Sequence, residues 1–89
     1  MLRKLMKIVF TKDALKELHK IPKNYIKIIW DKMQLLAEDS FARNINAKRL
    51  KGDKVFRLGV EDYRVIYEIH SGQITIEVVS IKSRGEAYD

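Results

Sequence analysis

The sequence predicts an α+β fold, a small antiparallel sheet with an N-terminal helical hairpin packed on one face. Two observations support this prediction. Apolar residues recur at helical spacing in the first half of the chain, which is typical of helices with one buried face. In the second half, apolar and polar residues alternate in stretches separated by turn-forming residues, which is typical of strands. We expect residues 1–89 to form a single domain.

The first half of the chain is predicted to contain a strand at residues 7–10 and then two helices. Thr11 is a good N-cap for the first helix, which should end before Ile21 and Pro22, because proline is tolerated in the first turn of a helix and disfavoured in its interior. The apolar stripe of the first helix comprises Ala14, Leu15 and Leu18. That of the second comprises Ile26, Ile29, Trp30, Met33, Leu36 and Ala37.

The second half is predicted to contain three strands. Residues 39–47 are interpreted as a polar loop, which leads into a basic, loop-like segment at residues 48–51. The strands follow near residues 54–60, 63–70 and 73–81. Two tight turns would join these strands as consecutive hairpins.

The turn at Glu61 and Asp62 would place Gly59 opposite Arg64. Arg57 and Arg64 then share the face opposite the apolar one, and two arginines beside a basic segment are typical of an anion site. The second turn, at residues 71–72, predicts three apolar pairs: Ile69 with Ile74, Tyr67 with Ile76 and Val65 with Val78.

Composition narrows the function classes. The formal net charge is +6, from 18 Lys and Arg against 12 Asp and Glu, and a polyanion such as nucleic acid is the expected partner. The chain has no cysteine, which excludes disulfides and thiolate metal sites and fits a cytoplasmic protein. No apolar run approaches the roughly 20 residues that span a bilayer, so no membrane partner is expected. His19 and His70 have no acid or second histidine at ligand spacing, so we expect no metal or cofactor.

The candidate functional residues are therefore cations. They are Lys48, Arg49, Lys51, Arg57, Arg64, Lys82 and Arg84, with Tyr88 near the end of the chain. Such a set suits either plain nucleic-acid binding or phosphoryl transfer, which consists largely of positioning and charge stabilisation. A second row on the first helix comprises Lys12, Lys16 and Lys20. It is interpreted as a solvated face or as an outer surface for a large polyanion.

Several motifs together resemble the RelE/ParE toxin family. They are residues 14–18 (ALKEL), Ile21 with Pro22, 49–52 (RLKG), 56–69 (FRLGVEDYRVIYEI) and 84–88 (RGEAY). The resemblance spans nearly the whole chain, with the motifs in the family's order. It implies a RelE-like fold and the toxin half of a type II toxin–antitoxin pair.

For the RelE-like branch, the resemblance implies a ribosome-dependent endoribonuclease that cuts mRNA in the A site, by attack of a ribose 2′-hydroxyl on the adjacent phosphate. Arg64 and Lys51 would stabilise the phosphate, and Arg84 or Lys82 would protonate the leaving 5′-oxygen. Tyr88 would stack on a base or help activate the nucleophile. Contacts with RNA and ribosome would come from Lys48, Arg49 and Arg57, with Lys12, Lys16 and Lys20 as an outer surface.

The chain departs from the family at several positions. Asn44 and Ala87 stand where some members have a glutamate and a histidine, which leaves the basic-cluster form of the site. Strict alternation from Val78 would put Lys82 and Arg84 on the core side of the sheet. The implied site therefore requires a bulge or bend near Ser80.

The resemblance also implies partners and alternatives. The partners are a RelB-like antitoxin, the ribosome with its mRNA, and operator DNA bound through the antitoxin complex. One alternative is a ParE-like inhibitor of DNA gyrase, which has the same fold and no nuclease activity. Another is a nucleic-acid-binding module that has lost its chemistry.

Overall fold

The structure is a computed structural model that describes residues 6–38, 47–51 and 54–83, except the side chains of Ala47 and Lys51. Its elements are β1 (Lys7–Phe10), α1 (Lys12–His19), α2 (Lys23–Glu38), β2 (Ala47–Lys51), β3 (Val55–Val60), β4 (Tyr63–His70), a 3₁₀ turn (Ser71–Gln73) and β5 (Thr75–Ser83). The strands form one five-stranded sheet in the order β1-β5-β4-β3-β2. The predicted α+β class is confirmed.

Two features of the sheet differ from the prediction. The sheet is mixed, because β1 pairs in parallel with β5 at one edge. The segment predicted as a basic loop is strand β2, which pairs antiparallel with β3 at the other edge. An edge strand whose side chains are solvated needs no apolar alternation, so the composition of β2 concealed its conformation.

Helix α1 is fixed at its start by Thr11. The Thr11 side-chain oxygen accepts a hydrogen bond from the Ala14 backbone N–H at 3.1 Å, which is the predicted N-cap. The same hydroxyl donates to the carbonyl of Val79 at 3.3 Å, and the Thr11 N–H donates to the carbonyl of Val78 at 3.0 Å. These bonds attach the start of α1 to β5 directly beyond the last β1–β5 pair, Phe10 with Val78.

Helix α2 packs on the sheet through a narrower stripe than predicted. Its buried residues are Ile29, Met33, Leu36 and Ala37. Trp30 remains 44% exposed and stacks on Phe10, with ring centroids 6.5 Å apart. Leu15 of α1 is 42% exposed. The prediction that Trp30 and Leu15 are core residues is therefore wrong, because each helix turns only part of its apolar stripe toward the sheet.

One of the two predicted hairpin registers is correct and the other is not. The β3–β4 turn is confirmed, since Val60 pairs with Tyr63 and Gly59 with Arg64. The predicted β4–β5 pairs are wrong by two residues, because Ile69 pairs with Ile76. The connection is a 3₁₀ turn followed by Ile74 at φ 50, so it is longer than the two-residue turn assumed. A shift of two residues preserves the faces, and the predicted core side is therefore retained.

A β-bulge interrupts the β4–β5 pairing. Tyr67 pairs with Val78, whereas the preceding residue, Ile66, pairs with Ser80, so Val79 is the extra residue. The bulge expected near Ser80 is confirmed. Because of it, Ile81 is buried and Lys82 pairs with Arg64.

Neither helix in the described ranges combines the length and the apolar composition needed to cross a membrane.

Candidate nucleic-acid interface

The face of the sheet opposite its buried side chains carries four basic residues, Lys48, Arg57, Arg64 and Lys82, which we call the cationic row. Each comes from a different strand, β2, β3, β4 and β5 in spatial order. Lys48 is paired with Arg57, and Arg64 is paired with Lys82. The row thus crosses four neighbouring strands, with a diagonal step between Arg57 and Arg64.

The spacing of the cationic row follows from the sheet geometry. Paired side chains in antiparallel strands have Cβ atoms about 4.5–5.5 Å apart, and diagonal neighbours about 7–8 Å. Arg57 is the diagonal neighbour of Arg64, because Gly59 occupies the position opposite Arg64. Consecutive members of the row are therefore close enough to contact one extended polyanion.

Arg64 is half-buried at the centre of the row. Its Nη1 donates a hydrogen bond to the carbonyl of Tyr63 at 3.3 Å. A guanidinium carries five N–H donors, so this bond leaves others available for an anion. Gly59, the residue opposite Arg64 on the neighbouring strand, has no side chain.

Lys82, at the β5 end of the row, forms an ion pair with a helix residue. Its Nζ lies 3.4 Å from Oε1 of Glu17, which belongs to α1. Glu17 is not among the predicted site residues, because Glu17 and Lys82 lie far apart in the chain. The helical periodicity of α1 shows which side of the helix is apolar, and it does not show that Glu17 contacts β5.

The remaining predicted residues are not all part of this row. Arg49 pairs with Phe56, a core residue, so by register it lies on the helix-bearing side of the sheet. Lys51 pairs with Val55 after a bulge in β2. The row predicted on α1 consists of exposed residues, Lys12, Lys16 and Lys20. Arg84 and Tyr88 lie outside the described residues.

The opposite end of the same sheet face is acidic. Glu68 and Glu77 are cross-strand partners, and His70 Nε2 lies 3.4 Å from the Glu68 carboxylate and 3.1 Å from that of Glu77. The expectation that His70 has no acid at ligand spacing is wrong, because strand pairing brings Glu77 to it. These donor atoms lie within 4.8 Å of one another, as metal ligands do, and a histidine–glutamate hydrogen bond accounts equally for that spacing.

One buried polar group lies in the core. Tyr67 is fully buried and stacks on Phe56, with ring centroids 5.5 Å apart. Its hydroxyl has no hydrogen-bond partner within the described part of the chain. Burial, which penalises the charged phenolate, raises the pKa of Tyr67 to about 12. Tyr67 therefore stays neutral at physiological pH and supplies no base to the cationic row.

A cavity of about 200 Å³ lies between α1 and the ends of β4 and β5. Its lining combines apolar and polar residues: Glu17, Lys20, Ile21, Tyr63, Ile81 and Ser83. Glu17 therefore borders this cavity and also pairs with Lys82 of the cationic row.

Comparison with known proteins assigns the chain to a family. The family model described as the ParE toxin of type II toxin–antitoxin systems, parDE, matches residues 8–88. The chain belongs to the ParE toxin family. This family is part of the RelE/ParE superfamily, so the resemblance found in the sequence is confirmed. No curated protein matches the sequence.

Solved structures show how widely the fold of this ParE family member is shared. The archaeal RelE–RelB complex from Pyrococcus horikoshii OT3 has a chain with a TM-score of 0.76 at 24% identity, covering 93% of this chain and 99% of that chain. The isolated Escherichia coli RelE toxin has a TM-score of 0.75 at 18% identity, covering 88% and 83%. The YoeB/ParE toxin from Agrobacterium tumefaciens has a TM-score of 0.72 at 22% identity, covering 88% and 98%. At these identities the matches establish the RelE-like fold.

Proposed function

We propose that this ParE family member is a ribosome-dependent endoribonuclease that cleaves mRNA in the ribosomal A site. The observation that carries the proposal is the pairing of Arg64 with Lys82, which depends on the bulge at Val79. The bulge keeps Ile81 in the core and also places Lys82 opposite Arg64, so two cations are close enough to contact one phosphate.

The proposed reaction is attack of a ribose 2′-oxygen on the adjacent phosphorus. The 2′-oxygen loses its proton, a bond forms to phosphorus, and the bond to the 5′-oxygen breaks, leaving a 2′,3′-cyclic phosphate. The 5′-oxygen gains a proton. Negative charge develops on the phosphate oxygens, and Arg64 is the residue best placed in the row to stabilise it through paired N–H donors.

Other roles follow the family resemblance. The resemblance assigns Lys51 to the same phosphate as Arg64, but the strand register separates them, since Lys51 pairs with Val55 and Arg64 pairs with Gly59. Lys82 or Arg84 would protonate the leaving oxygen. Tyr88 would stack on a base or help activate the nucleophile. Lys48, Arg57 and Arg49 would contact RNA or ribosome, and no metal or cofactor is required.

The proposed partners also include an antitoxin. Two of the similar structures are toxin–antitoxin complexes, RelE–RelB from Pyrococcus horikoshii and RelBE from Escherichia coli. By analogy, we expect a RelB-like antitoxin to bind this chain, and the complex to contact operator DNA mainly through the antitoxin. Coexpression followed by copurification of the chain with the protein encoded beside it would test this expectation.

The nuclease proposal is tested by toeprinting a translating mRNA on purified ribosomes. The wild-type protein should produce new cuts within the A-site codon, and none when ribosomes are omitted. Arg64→Ala should lower the cleavage rate by about 10²–10³, the usual cost of removing one preorganised charge-stabilising group. Lys27→Ala is the control, because it removes a cation that lies on α2, outside the cationic row. The Lys27 side chain is 77% exposed and forms an ion pair with Asp31.

The ParE family match keeps gyrase inhibition as the second candidate. A supercoiling assay with purified DNA gyrase separates the two activities. Intact mRNA together with blocked supercoiling would replace the nuclease proposal with gyrase inhibition. If neither substrate were affected and RNA were still bound, the chain would be a binding module without chemistry.

A further inference from the structure

We infer that Glu17 is the resident counter-ion of Lys82, and that a phosphate group of bound RNA displaces it. Glu17 would then be a positioning residue that sets the affinity of the cationic row. The inference rests on the proposed RNA-directed function, and it adds a residue that the family resemblance did not identify. It concerns one contact, between Lys82 Nζ and Glu17 Oε1 at 3.4 Å.

This ion pair is shielded from water more than the pair formed by Lys27 and Asp31 on α2. The side chains of Lys82 and Glu17 are 43% and 24% exposed, whereas those of Lys27 and Asp31 are 77% and 60% exposed. Solvent and salt screen a partly buried pair less than an exposed one. The Glu17 carboxylate therefore affects the Lys82 ammonium more strongly than a surface carboxylate would.

The fold fixes both partners of the pair through one residue. The Thr11 side chain caps α1, which carries Glu17, and also donates to the carbonyl of Val79. Val79 is the bulge residue that allows Lys82 to pair with Arg64. The helix that carries the carboxylate and the bulge that directs the lysine are thus held by the same hydroxyl.

The ion pair also reduces the charge repulsion within the cationic row. Arg64 and Lys82 are directly opposed on adjacent strands, and like charges in that position repel. Glu17 offsets this repulsion in the free protein. A phosphate placed between Arg64 and Lys82 would supply the same negative charge, so the Lys82 ammonium could exchange one anion for the other. Binding then includes breaking the Glu17 contact, which lowers the affinity.

The test uses Glu17→Gln, which keeps the side-chain size and removes the charge. The probe is a short single-stranded RNA with 2′-O-methyl groups, which binds but cannot be attacked by its own 2′-oxygen. Glu17→Gln should bind about two- to fivefold more tightly at low salt, as expected from the strength of such an ion pair. The slope of log K against log salt should be steeper for this variant than for the wild type by about 0.7, because Lys82 gains a full phosphate contact.

Asp31→Asn is the matched control, because it makes the same change in net charge at the exposed Lys27 pair. It should bind like the wild type. In a Lys82→Met background, Glu17→Gln should give no gain, since the group that it releases is absent. An equal gain in Asp31→Asn, or in the Lys82→Met background, would show a general charge effect and overturn the inference.

The same titrations separate this inference from the proposed function. If the wild-type protein binds no RNA and cuts no message, the proposed function fails. If it binds and cuts, and Glu17→Gln matches it in affinity and salt dependence, the counter-ion role alone is wrong.

Discussion

At the scale of single residues, Tyr67 combines full burial with a hydroxyl that has no hydrogen-bond partner among the described residues. A buried hydroxyl without a partner costs free energy, because it has given up its hydrogen bonds to water. We predict that Tyr67→Phe raises the free energy of unfolding by about 1 kcal/mol at neutral pH. Urea unfolding measures the change. Tyr25→Phe is the control, because Tyr25 is only partly buried and packs against the core near Tyr63, and it should have little effect.

The raised pKa of Tyr67 gives a second expectation for the same variant. The folded chain holds the phenolic proton up to a pKa of about 12, whereas the unfolded chain releases it near 10. The folded state therefore binds more protons between these values, and wild-type stability should fall as pH rises from 10 to 12. The loss attributable to Tyr67 should be about 2–3 kcal/mol and absent from Tyr67→Phe. Equal alkaline losses in both proteins would contradict this account.

At the scale of elements, the bulge in β5 decides which side chains reach each face. Deleting Val79 alone would remove the bulge and keep both faces, because Ser80 and Ile81 would still pair with Ile66 and Val65. Deleting Val79 and Ser80 together would turn Ile81 outward and Lys82 toward the core. We predict that the double deletion lowers the free energy of unfolding by more than about 3 kcal/mol, because a buried aliphatic side chain is lost and a charged one is directed inward. Thermal or urea unfolding of the purified variant measures this change.

The matched control is the deletion of Val79 alone, which removes the bulge and keeps Ile81 and Lys82 on their faces. It should cost no more than about 2 kcal/mol, for the loss of one partly buried side chain and of the hydrogen bond from Thr11 to the Val79 carbonyl. If the double deletion were as stable as the single one, β5 would tolerate either register. The assignment of Lys82 to the cationic row would then lose its structural basis.

At the scale of the whole molecule, charge is divided along one face of the sheet. The cationic row lies toward the β3–β4 turn, and Glu68 and Glu77 lie toward the β4–β5 turn. By its pairing with Thr75, the exposed Lys7 lies at the same end as the two glutamates, so the cationic row is the end of this face that attracts a polyanion more strongly. The net charge of +6 alone does not define this orientation.

This arrangement of charge predicts how strongly RNA binding should depend on salt concentration. If the row contacts up to four phosphates of single-stranded RNA, the slope of log K on log salt should be no steeper than about −3. Removing one row cation, as in Arg57→Ala, should reduce the slope by about 0.7, whereas Lys27→Ala on α2 should leave it unchanged. Fluorescence anisotropy with labelled RNA at several salt concentrations measures both. Equal slopes in the two variants would show that binding is spread over the whole surface.

Sequence patterns determined much of this protein because they report local geometry. Alternation with a period of two assigned Phe56, Leu58 and Val65 to the buried face, and the spacing across Glu61 and Asp62 fixed the β3–β4 register. The need for a bulge near Ser80 came from the family resemblance. Periodicity alone would have placed Lys82 on the core side.

Tertiary structure decided what depends on contacts between distant segments. The parallel pairing of β1 with β5, the contact of Glu17 with Lys82, and the approach of Glu77 to His70 all join residues from different elements. A local pattern states which face a residue occupies, and it does not state which other segment will lie against that face. That choice is made by the packing of the whole core, which places β5 between β1 and β4.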